Sequence, residues 1–279
     1  VSEEHCTIVW LLVPWAQDLL LALDNKELDI ADYDLDQWRL MHIGAQPVPP
    51  SLIKHWKEYF PNHLYDTNYG LSESTGPGCV HLGIENIDKV GAIGIPGYRW
   101  SCKIVDENGN ALPQGEVGEL CVQGPGMMTC YYNDPKATAE TIKDGWLFTG
   151  DMAMQDEDGF YFLVDRKKDV IVSGGENIYP REIEEFLYQM PGIKDVQVAG
   201  VPSKKYGEAV GAFIILHEGC TMNEYDVREF CEGKIARYKI PKYIFFVKEF
   251  PMTGSGKIQK FKLKDLSLEL CKQQGIEII

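Results

Sequence analysis

The stretch DRKKDVIVSGGENIYPREIE, residues 165–184, marks where one kind of fold gives way to another. It opens with a charged run, continues as a short apolar strand, passes through Gly174-Gly175 and enters the periodic pattern of an amphipathic helix. Domain boundaries tend to fall in exposed, polar segments that few contacts cross. We therefore predict two domains, residues 1–165 and residues 166–279.

The second predicted domain has the pattern of a compact α+β unit. Its segments KDVQVAGV, GEAVGAFIIL and KYIFFV have the apolar character of strands. The segment NEYDVREFCEGKIA has helical periodicity, as does the end of the opening stretch. Strands and helices mixed in this way favour a sheet covered by helices.

The first predicted domain begins as an α/β layer and changes to β structure. Helical periodicity in AQDLLLALD and SLIKHWKEYF alternates with strand patterns in WRLMHIGAQPVPP and HLYDTNYG, which run into a turn and a loop. This alternation predicts an α/β layer to about residue 90. From about residue 91 to residue 165, strands such as GEVGELCVQG, GWLFTGD and GFYFLVD alternate with glycine turns, and Asn108-Gly109 signals a hairpin. We expect a small antiparallel β-barrel there.

Composition limits the classes of partner. The net charge of −15 argues against nucleic acid or an anionic membrane as the main partner, but leaves small anionic ligands open. None of the eight cysteines forms a C-x-x-C pair, which predicts reduced thiols and a cytoplasmic location. The apolar run IVWLLVPW is too short for a transmembrane segment and follows acidic residues, so we expect no membrane span or signal peptide.

The segment TNYGLSEST, residues 67–75, has the side chains of a nucleotide site. Ser72 can donate to a phosphate oxygen, Glu73 is a suitable magnesium ligand, and Tyr69 offers a flat face to a purine. The fifth position of the near-match to G-x-S-x-G is Ser74, which disfavours a hydrolase. A polar turn with satisfied hydrogen bonds explains this segment equally well.

Four further residues are candidates for ligand binding. Asp151, at the end of GWLFTGD, can accept hydrogen bonds from a ribose diol, and the guanidinium of Arg166 can donate to ribose or phosphate. Gly174 and Gly175 allow a ligand to approach the backbone closely. The alternatives are a turn-forming aspartate, a solvated charge run and an ordinary turn.

The segment PMTGSGKIQK, residues 251–260, places Lys257 behind two glycines and a serine. A phosphate loop requires G-x-x-x-x-G-K-[ST], whereas Pro251 stands five residues before Gly256 and Ile258 follows Lys257. Lys257 is therefore either a flexible, solvated lysine or part of a different anion site.

Taken in order, these segments resemble the motifs of the adenylate-forming superfamily, which includes acyl-CoA synthetases, peptide-synthetase adenylation domains and beetle luciferases. IGAQP resembles the adenosine loop, and NYGLSES resembles the aromatic-Gly-x-Thr-Glu motif. GELCVQGPGMMTCYY and GWLFTGD resemble the next two motifs. DRKKDVIVSGGENIYPREIE resembles the hinge motif, and PMTGSGKIQK resembles the last, lysine-bearing one. The resemblance covers essentially the whole chain.

The resemblance implies a role for each motif residue. ATP or AMP would be surrounded by two segments, comprising Gly44, Ala45, Gln46 and Pro47, and Thr67, Asn68, Tyr69, Gly70, Leu71 and Ser72. Glu73 would bind Mg²⁺, Asp151 and Arg166 would hold the ribose, and Lys168 would be the hinge of a mobile C-terminal domain. Ser173, Gly174, Gly175 and Lys242 would bind CoA. Lys257 would contact the carboxylate and the α-phosphate, with Ser72 and Glu73 completing the catalytic set.

The chain also departs from the family pattern. Ser72 replaces the commoner threonine, and Glu176-Asn177 stand where some relatives carry a phosphate-binding arginine, so that role is not transferred. The Ser/Thr/Gly-rich loop that grips the β- and γ-phosphates is not found in these residues. Together with the apolar run close to Val1, this leads us to expect the C-terminal portion of a longer enzyme.

The predicted parent is an acyl-CoA synthetase that uses ATP and CoA to activate a fatty or aromatic carboxylic acid. An enzyme that loads a carrier protein and a luciferase-like oxygenase are the alternatives within the superfamily. From another class, these residues alone could bind nucleotide or CoA without turnover, and we expect them to be inactive in adenylation.

Overall fold

The computed structural model describes residues 1–44, 48–252, 258–276 and 278, with the side chains of residues 76 and 77 outside the description. The chain divides into two compact units. We call Val1–Leu163 the large unit and Val164–Ile279 the small unit. Among the described residues, no helix combines the length and the apolar character needed to cross a bilayer.

The large unit begins with a three-stranded parallel sheet. Its strands β1 (Ile8–Leu12), β2 (Leu40–Gly44) and β3 (Leu64–Asp66) lie side by side in chain order. Parallel neighbours need crossover connections, which α1 (Val13–Asp24) and α2 (Pro50–Tyr59) supply. Both helices bury an apolar stripe against the sheet, which includes Ala16 and Leu20 of α1 and Ile53 and Trp56 of α2. The predicted α/β layer is confirmed in its coarse form, over residues 8–66.

A second, antiparallel sheet follows directly. It contains β4 (Asn68–Leu71), β5 (Gly76–His81) and β6 (Ile95–Pro96). The sequence predicted that the strand HLYDTNYG runs into a loop, and this part of the prediction is wrong. Residues 68–71 form a strand because they pair with β5 in a hairpin, with Tyr69 opposite Val80.

The rest of the large unit is an antiparallel sheet with the strand order β11-β10-β8-β7, and β9 pairs with β10. Its elements are β7 (Ser101–Val105), β8 (Val117–Gln123), α3 (Pro135–Thr141), β9 (Ile142–Lys143), β10 (Trp146–Gln155) and β11 (Tyr161–Arg166). The predicted closed barrel is wrong for the described residues, in which this sheet is open.

The two outer strands explain why the sheet stays open. A barrel would require the outer edges of β7 and β11 to pair with each other. The edge of β7 is instead taken by its own chain, since the Leu112 N–H donates to the Ile104 carbonyl at 2.9 Å. The edge of β11 pairs with residues 93 and 94, where the Tyr161 N–H donates to the Gly94 carbonyl at 2.8 Å.

The small unit is a mixed sheet covered by helices. Its strand order is β13-β12-β15-β14, and β16 lies parallel to β15. The elements are β12 (Ile171–Ser173), β13 (Glu176–Ile178), α4 (Pro180–Leu187), β14 (Ile193–Ser203), β15 (Gly207–Leu216), α5 (Glu224–Cys231), β16 (Tyr243–Phe246) and α6 (Lys260–Gln274).

Apolar clusters cover both faces of this sheet. Alternate residues of β14 point to opposite faces and so contribute to both clusters. Val198 packs in one apolar cluster with Ile183 of α4. Val201 packs in a second cluster with Leu263 of α6. The predicted strands are confirmed. The helix predicted over NEYDVREFCEGKIA is confirmed only for Glu224–Cys231, and the sequence analysis did not predict α6.

The glycine pair of the small unit forms a tight turn. Gly174 and Gly175 have φ values of +62° and +92° and connect β12 to β13 as a two-residue hairpin turn. Two successive positive φ values are characteristic of a type I′ turn, which glycine adopts without steric cost. The predicted strand-to-helix loop is therefore a hairpin with an additional strand before α4.

Candidate active site

The carboxyl ends of the parallel strands bring three predicted nucleotide-binding residues together. Gly44 ends β2, while Thr67 and Asn68 follow β3. The Asn68 Oδ1 lies 3.6 Å from the position that a Cβ on Gly44 would occupy. Ligands of open α/β sheets bind outside this edge, at the carboxyl ends of the strands. Ala45, Gln46 and Pro47 lie outside the described residues.

Asp66, which the sequence analysis missed, fixes the chain at this edge. Its Oδ1 accepts hydrogen bonds from the backbone N–H groups of Thr67 at 2.9 Å and Gly83 at 3.0 Å. Its Oδ2 lies 3.4 Å from Nδ1 of His42. Burial by itself would raise the pKa of Asp66, but the hydrogen bonds from His42 and the backbone outweigh burial and lower it. The ionised side chain of Asp66 therefore fixes the backbone directly after β3.

Two predicted ligand residues from distant motifs are in direct contact. The hydroxyl of Tyr69 donates to Oδ2 of Asp151 at 2.5 Å, and both side chains are buried. Burial, followed by the negative charge of Asp151, raises the pKa of Tyr69 well above its ordinary value. Tyr69 thus remains a neutral donor, and its ring packs in an apolar cluster with Cys79 and Val80.

Asp151 lies beside a second polar contact in β10. Its backbone N–H donates to Oγ1 of Thr149 at 3.1 Å, and that hydroxyl donates to the carbonyl of Leu120 at 2.7 Å. The Gly150 N–H donates to the buried carboxylate of Glu119 at 3.0 Å. The backbone around Asp151 is therefore held by the neighbouring strand β8.

Gly70 and Leu71 complete β4, and Ser72 and Glu73 lie in the short 3₁₀ turn that follows. The turn is held by Ser74, whose Oγ accepts from the Leu71 N–H at 3.0 Å and donates to the Leu71 carbonyl at 2.9 Å. Thr75 then adopts a left-handed conformation, with φ at +57°. Ser72 is exposed at this turn.

The segment GPGMMTCYY packs against the turn and contacts Glu73. The hydroxyl of Tyr131 donates to Oε1 of Glu73 at 2.6 Å, and the Met128 N–H donates to the Glu73 carbonyl at 2.7 Å. The hydrogen bond to Glu73 is the main cause that raises the pKa of Tyr131. A Cβ on Gly126 would lie 2.9 Å from the Ser74 carbonyl oxygen, so the approach of the two segments requires a residue without a side chain. The sequence analysis did not single out Tyr131, which contacts the predicted metal ligand Glu73.

The residues around Glu73 suit a magnesium ion that has few protein ligands. In the described part of the chain, no group of three or more His, Cys, Asp or Glu side chains converges as an all-protein metal site would require. Mg²⁺ is commonly held by one or two carboxylates while waters and substrate phosphates complete the octahedron. A single carboxylate at Glu73 fits that arrangement.

The predicted hinge and ribose residues of the small unit lie at its start. Arg166 ends β11 and Lys168 lies in the 3₁₀ turn Lys167–Asp169, and both are exposed. Asp165 ties this region to the first turn of α4, because it accepts from the N–H groups of Arg166 at 2.7 Å and Arg181 at 2.9 Å. Lys257 lies outside the described residues.

Within the small unit, predicted CoA residues gather around Tyr206. The Gly174 N–H, in the turn after Ser173, donates to the Tyr206 carbonyl at 2.9 Å. The Nζ atoms of Lys205 and Lys242 lie 4.9 Å and 5.0 Å from the centre of the Tyr206 ring. A hydrogen bond from Lys205, with the positive charges nearby, lowers the pKa of Tyr206. A partly exposed aromatic ring among cations can bind a planar, anionic ligand.

Comparison with known proteins identifies the family. The AMP-binding enzyme family matches residues 1–132, and the AMP-binding enzyme C-terminal domain matches residues 182–257. The chain belongs to the AMP-binding enzyme family. This confirms the predicted membership of the adenylate-forming superfamily.

The relatives of this chain include several CoA ligases. It is 42% identical over 274 residues to the putative acyl-CoA synthetase YngI of Bacillus subtilis, covering 97% of this chain and 49% of the relative. It is 39% identical over 244 residues to a long-chain-fatty-acid–CoA ligase of Escherichia coli, covering 87% and 42%. It is 37% identical over 232 residues to a feruloyl-CoA synthase of Amycolatopsis, covering 83% and 47%. The chain thus spans about half the length of the curated relatives it matches.

Solved structures with the same fold include two related enzymes. The o-succinylbenzoate CoA synthetase MenE of Bacillus subtilis, in complex with its acyl-adenylate intermediate, matches with a TM-score of 0.83 and 30% identity over 94% of this chain and 52% of MenE. The amide bond synthetase McbA of Marinactinospora thermotolerans matches with a TM-score of 0.84 and 30% identity over 95% of this chain and 53% of McbA. MenE has also been solved with ATP and a magnesium ion.

Proposed function

We propose that this chain is part of an AMP-forming acyl-CoA synthetase. A carboxylate oxygen of the acid attacks the α-phosphorus of ATP, which forms acyl-AMP and releases pyrophosphate. The CoA thiol then attacks the acyl carbonyl, loses its proton and displaces AMP. The contact between Tyr69 and Asp151 carries the proposal, because it joins two predicted nucleotide-binding segments that lie 82 residues apart.

In the large unit, we assign the nucleotide to the edge formed by Gly44, Thr67 and Asn68. Asp151 would accept hydrogen bonds from the ribose hydroxyls, and its bond to Tyr69 supports this role by holding the carboxylate in one orientation. Ser72, which is exposed, would donate to the α-phosphate. Arg166 of the small unit is proposed as a second donor to the ribose.

Glu73 is the proposed magnesium ligand, and Tyr131 orients it. When bound, Mg²⁺ would neutralise charge on the phosphate oxygens. Lys257 would donate to the carboxylate and the α-phosphate, because negative charge gathers where these two anions meet. Lys168 is the proposed hinge about which the small unit rotates between the two half-reactions.

The thioester half-reaction is assigned to the surface around Tyr206. Lys242 and its neighbours supply positive charge for the CoA phosphates, and the tight turn at Gly174-Gly175 supplies backbone without side chains for the pantetheine arm. The names of the relatives support a fatty or aromatic acid as the substrate. Transfer of the acyl group to an amine is the second candidate, favoured by the similarity to an amide bond synthetase.

Both candidates can be tested on the full-length protein. ATP–pyrophosphate exchange is measured with a panel of fatty and aromatic acids, and CoA thiol consumption and amide formation are measured with the acid that supports exchange. Acid-dependent exchange with CoA consumption supports the synthetase, and amide formation without CoA supports the second candidate. Absence of exchange with every acid refutes adenylation of this substrate class.

The 279 residues alone are proposed to be inactive in adenylation. The family's loop for the β- and γ-phosphates is not found in them, and the charge that develops on the pyrophosphate leaving group would lack those donors. Purified protein consisting of these residues should bind AMP in calorimetry but show no pyrophosphate exchange. Robust exchange would overturn this part of the proposal.

A further inference from the structure

A buried ion pair lies at the start of α6 in the small unit. The Nζ of Lys260 lies 2.7 Å from Oε1 of Glu184, and the two side chains are 19% and 11% exposed. Lys260 is the first residue of α6, and Glu184 belongs to α4. The proposed function assigns no role to either residue.

Glu184 is a fixed anchor for this lysine. Its Oε1 also accepts from the backbone N–H of Val198 in β14 at 2.7 Å. Burial raises the pKa of Glu184, and the positive charge of Lys260 opposes that rise. Removing the ammonium would leave a buried carboxylate without its counter-charge, an arrangement that is strongly unfavourable.

The positive charge of Lys260 also affects the pKa of the residue next to the proposed hinge. Asp169 directly follows Lys168 in the 3₁₀ turn Lys167–Asp169. Burial raises the pKa of Asp169. Of the positive charges that oppose this rise, that of Lys260 has the largest effect. Lys260 therefore contacts one carboxylate, on α4, and its charge opposes the rise in the pKa of a second carboxylate beside the proposed hinge residue.

Lys260 also directly follows residues that pair across the segment 253–257. Met252 and Ile258 form an antiparallel bridge, and the Gln259 N–H donates to the Pro251 carbonyl at 2.8 Å. These contacts join the residues on either side of 253–257 directly before Lys260. In the sequence, Lys257 lies three residues before Lys260.

We propose that Lys260 is a positioning residue for adenylation. Its ion pair with Glu184 fixes the base of the segment that carries Lys257 to α4. In this proposal Lys260 acts through Lys257 and not on the reacting atoms themselves. This inference rests on the proposed function of Lys257, and it accords with the sensitivity of catalysis to displacements of about 1 Å, which can cost about a hundredfold in rate.

The test uses the full-length enzyme with three variants. Lys260→Met keeps a similar apolar stem and removes the charge, and Lys260→Arg keeps the charge. Lys264→Met is the matched control, because Lys264 lies on the same helix and pairs with Glu208 at 2.9 Å, with side-chain exposures of 49% and 27%. Acyl-AMP formation and thioester formation from supplied acyl-AMP are timed separately, and hydrogen exchange is measured at the Gln259 amide.

Lys260→Met should slow acyl-AMP formation by about ten- to a hundredfold and accelerate exchange at Gln259. Thioester formation should stay within about threefold of wild type, Lys260→Arg should restore adenylation, and Lys264→Met should change neither. Should Lys260→Met fold poorly, the double variant Glu184→Gln/Lys260→Met removes both charges and should still show the selective loss.

Equal losses in both half-reactions, or full adenylation in Lys260→Met, would overturn the inference. Unchanged exchange at Gln259 would overturn it without any measurement of turnover. A wild-type enzyme that forms no acyl-AMP would instead refute the proposed function, so the two failures can be told apart.

Discussion

The hydroxyl of Tyr69 and the carboxylate of Asp151 form a 2.5 Å hydrogen bond between buried side chains that lie 82 residues apart in the sequence. Tyr69 belongs to the sheet of β4, β5 and β6, and Asp151 belongs to the open antiparallel sheet that contains β10. Their bond therefore joins two sheets of the large unit at the point where we place the ribose. A tyrosine that stays protonated is suited to this, since its hydroxyl can donate a hydrogen bond to the carboxylate of its partner.

Replacing Tyr69 by Phe should reduce both stability and ATP use. The variant leaves a buried carboxylate without one donor, which costs about 1–3 kcal/mol in the free energy of unfolding. Because the ribose ligand is then less well oriented, KM for ATP should rise by about three- to tenfold in the full-length enzyme. Urea unfolding and initial rates at varied ATP measure the two effects.

Tyr161→Phe is the matched control for this prediction. Tyr161 is a buried tyrosine of the same apolar cluster, and its hydroxyl donates to the Cys102 carbonyl at 3.1 Å. It should lose stability while KM for ATP stays unchanged. A KM that rises equally in both variants would mean that the effect reflects general loosening of the large unit.

Asp151→Asn should weaken ATP use more strongly than Tyr69→Phe does. The amide replaces a charged acceptor for the ribose hydroxyls, and hydrogen bonds to charged groups are worth about 1.5–3 kcal/mol, or roughly ten- to a hundredfold in KM for ATP. Asp158→Asn is the control, since its side chain is 67% exposed and pairs with Lys89 away from the predicted motifs. If Asp151→Asn leaves the ATP dependence unchanged, the ribose site lies elsewhere.

The strands and helices of the parallel layer could be predicted because local periodicity depends on neighbouring residues. The nucleotide-binding roles of Gly44, Thr67 and Asp151 follow from motif order and stay predictions. The open sheet was not predicted. Its edges pair with residues 93–94 and 111–112, and the sequence of such a short segment does not indicate which strand it pairs with. Pairing between distant segments was the missing information.

The contacts of Glu73 and Lys260 were missed for the same reason. Tyr131 lies 58 residues from Glu73, and Glu184 lies 76 residues from Lys260. A tyrosine or lysine at such positions looks like an ordinary surface residue in the sequence. Only tertiary packing shows that one orients a proposed metal ligand and that the other is paired with a buried carboxylate.

His63 should make the large unit sensitive to mild acid. Its ring packs between Trp38 and Phe60, with both ring centroids 4.6 Å away. Burial, with the charge of Lys57 adding to it, lowers the pKa of His63 from 6.5 to about 4. The unfolded chain therefore binds a proton between these two values and the folded chain does not, so stability is fully present above pH 6.5 and falls as the pH drops toward 4.

The loss should amount to no more than about 3 kcal/mol of unfolding free energy. Urea unfolding between pH 4 and pH 7.5 measures it, and His63→Phe is the comparison because phenylalanine keeps an aromatic ring at this position. As the pH falls, wild type should lose more unfolding free energy than the variant does. A difference that does not change with pH would mean that His63 titrates normally in the folded protein.

Lys257→Ala should separate the two half-reactions of the full-length enzyme. In the proposed mechanism, Lys257 stabilises the negative charge that gathers between the carboxylate and the α-phosphate. Removing one preorganised donor of this kind costs about a hundred- to a thousandfold in rate. Acyl-AMP formation should fall by that factor, and thioester formation from supplied acyl-AMP and CoA should persist, since the small unit is proposed to rotate about Lys168 between the two steps.

Two further variants make this prediction decisive. Lys262→Ala removes an exposed lysine of α6 near the same segment and should leave both half-reactions intact. Lys168→Pro fixes φ at the proposed hinge and should slow whichever half-reaction needs the backbone conformation that proline excludes, while the other proceeds. If Lys257→Ala slows both steps equally, the lysine acts throughout catalysis or the fold is damaged, and rotation about Lys168 no longer explains how one chain carries out two reactions.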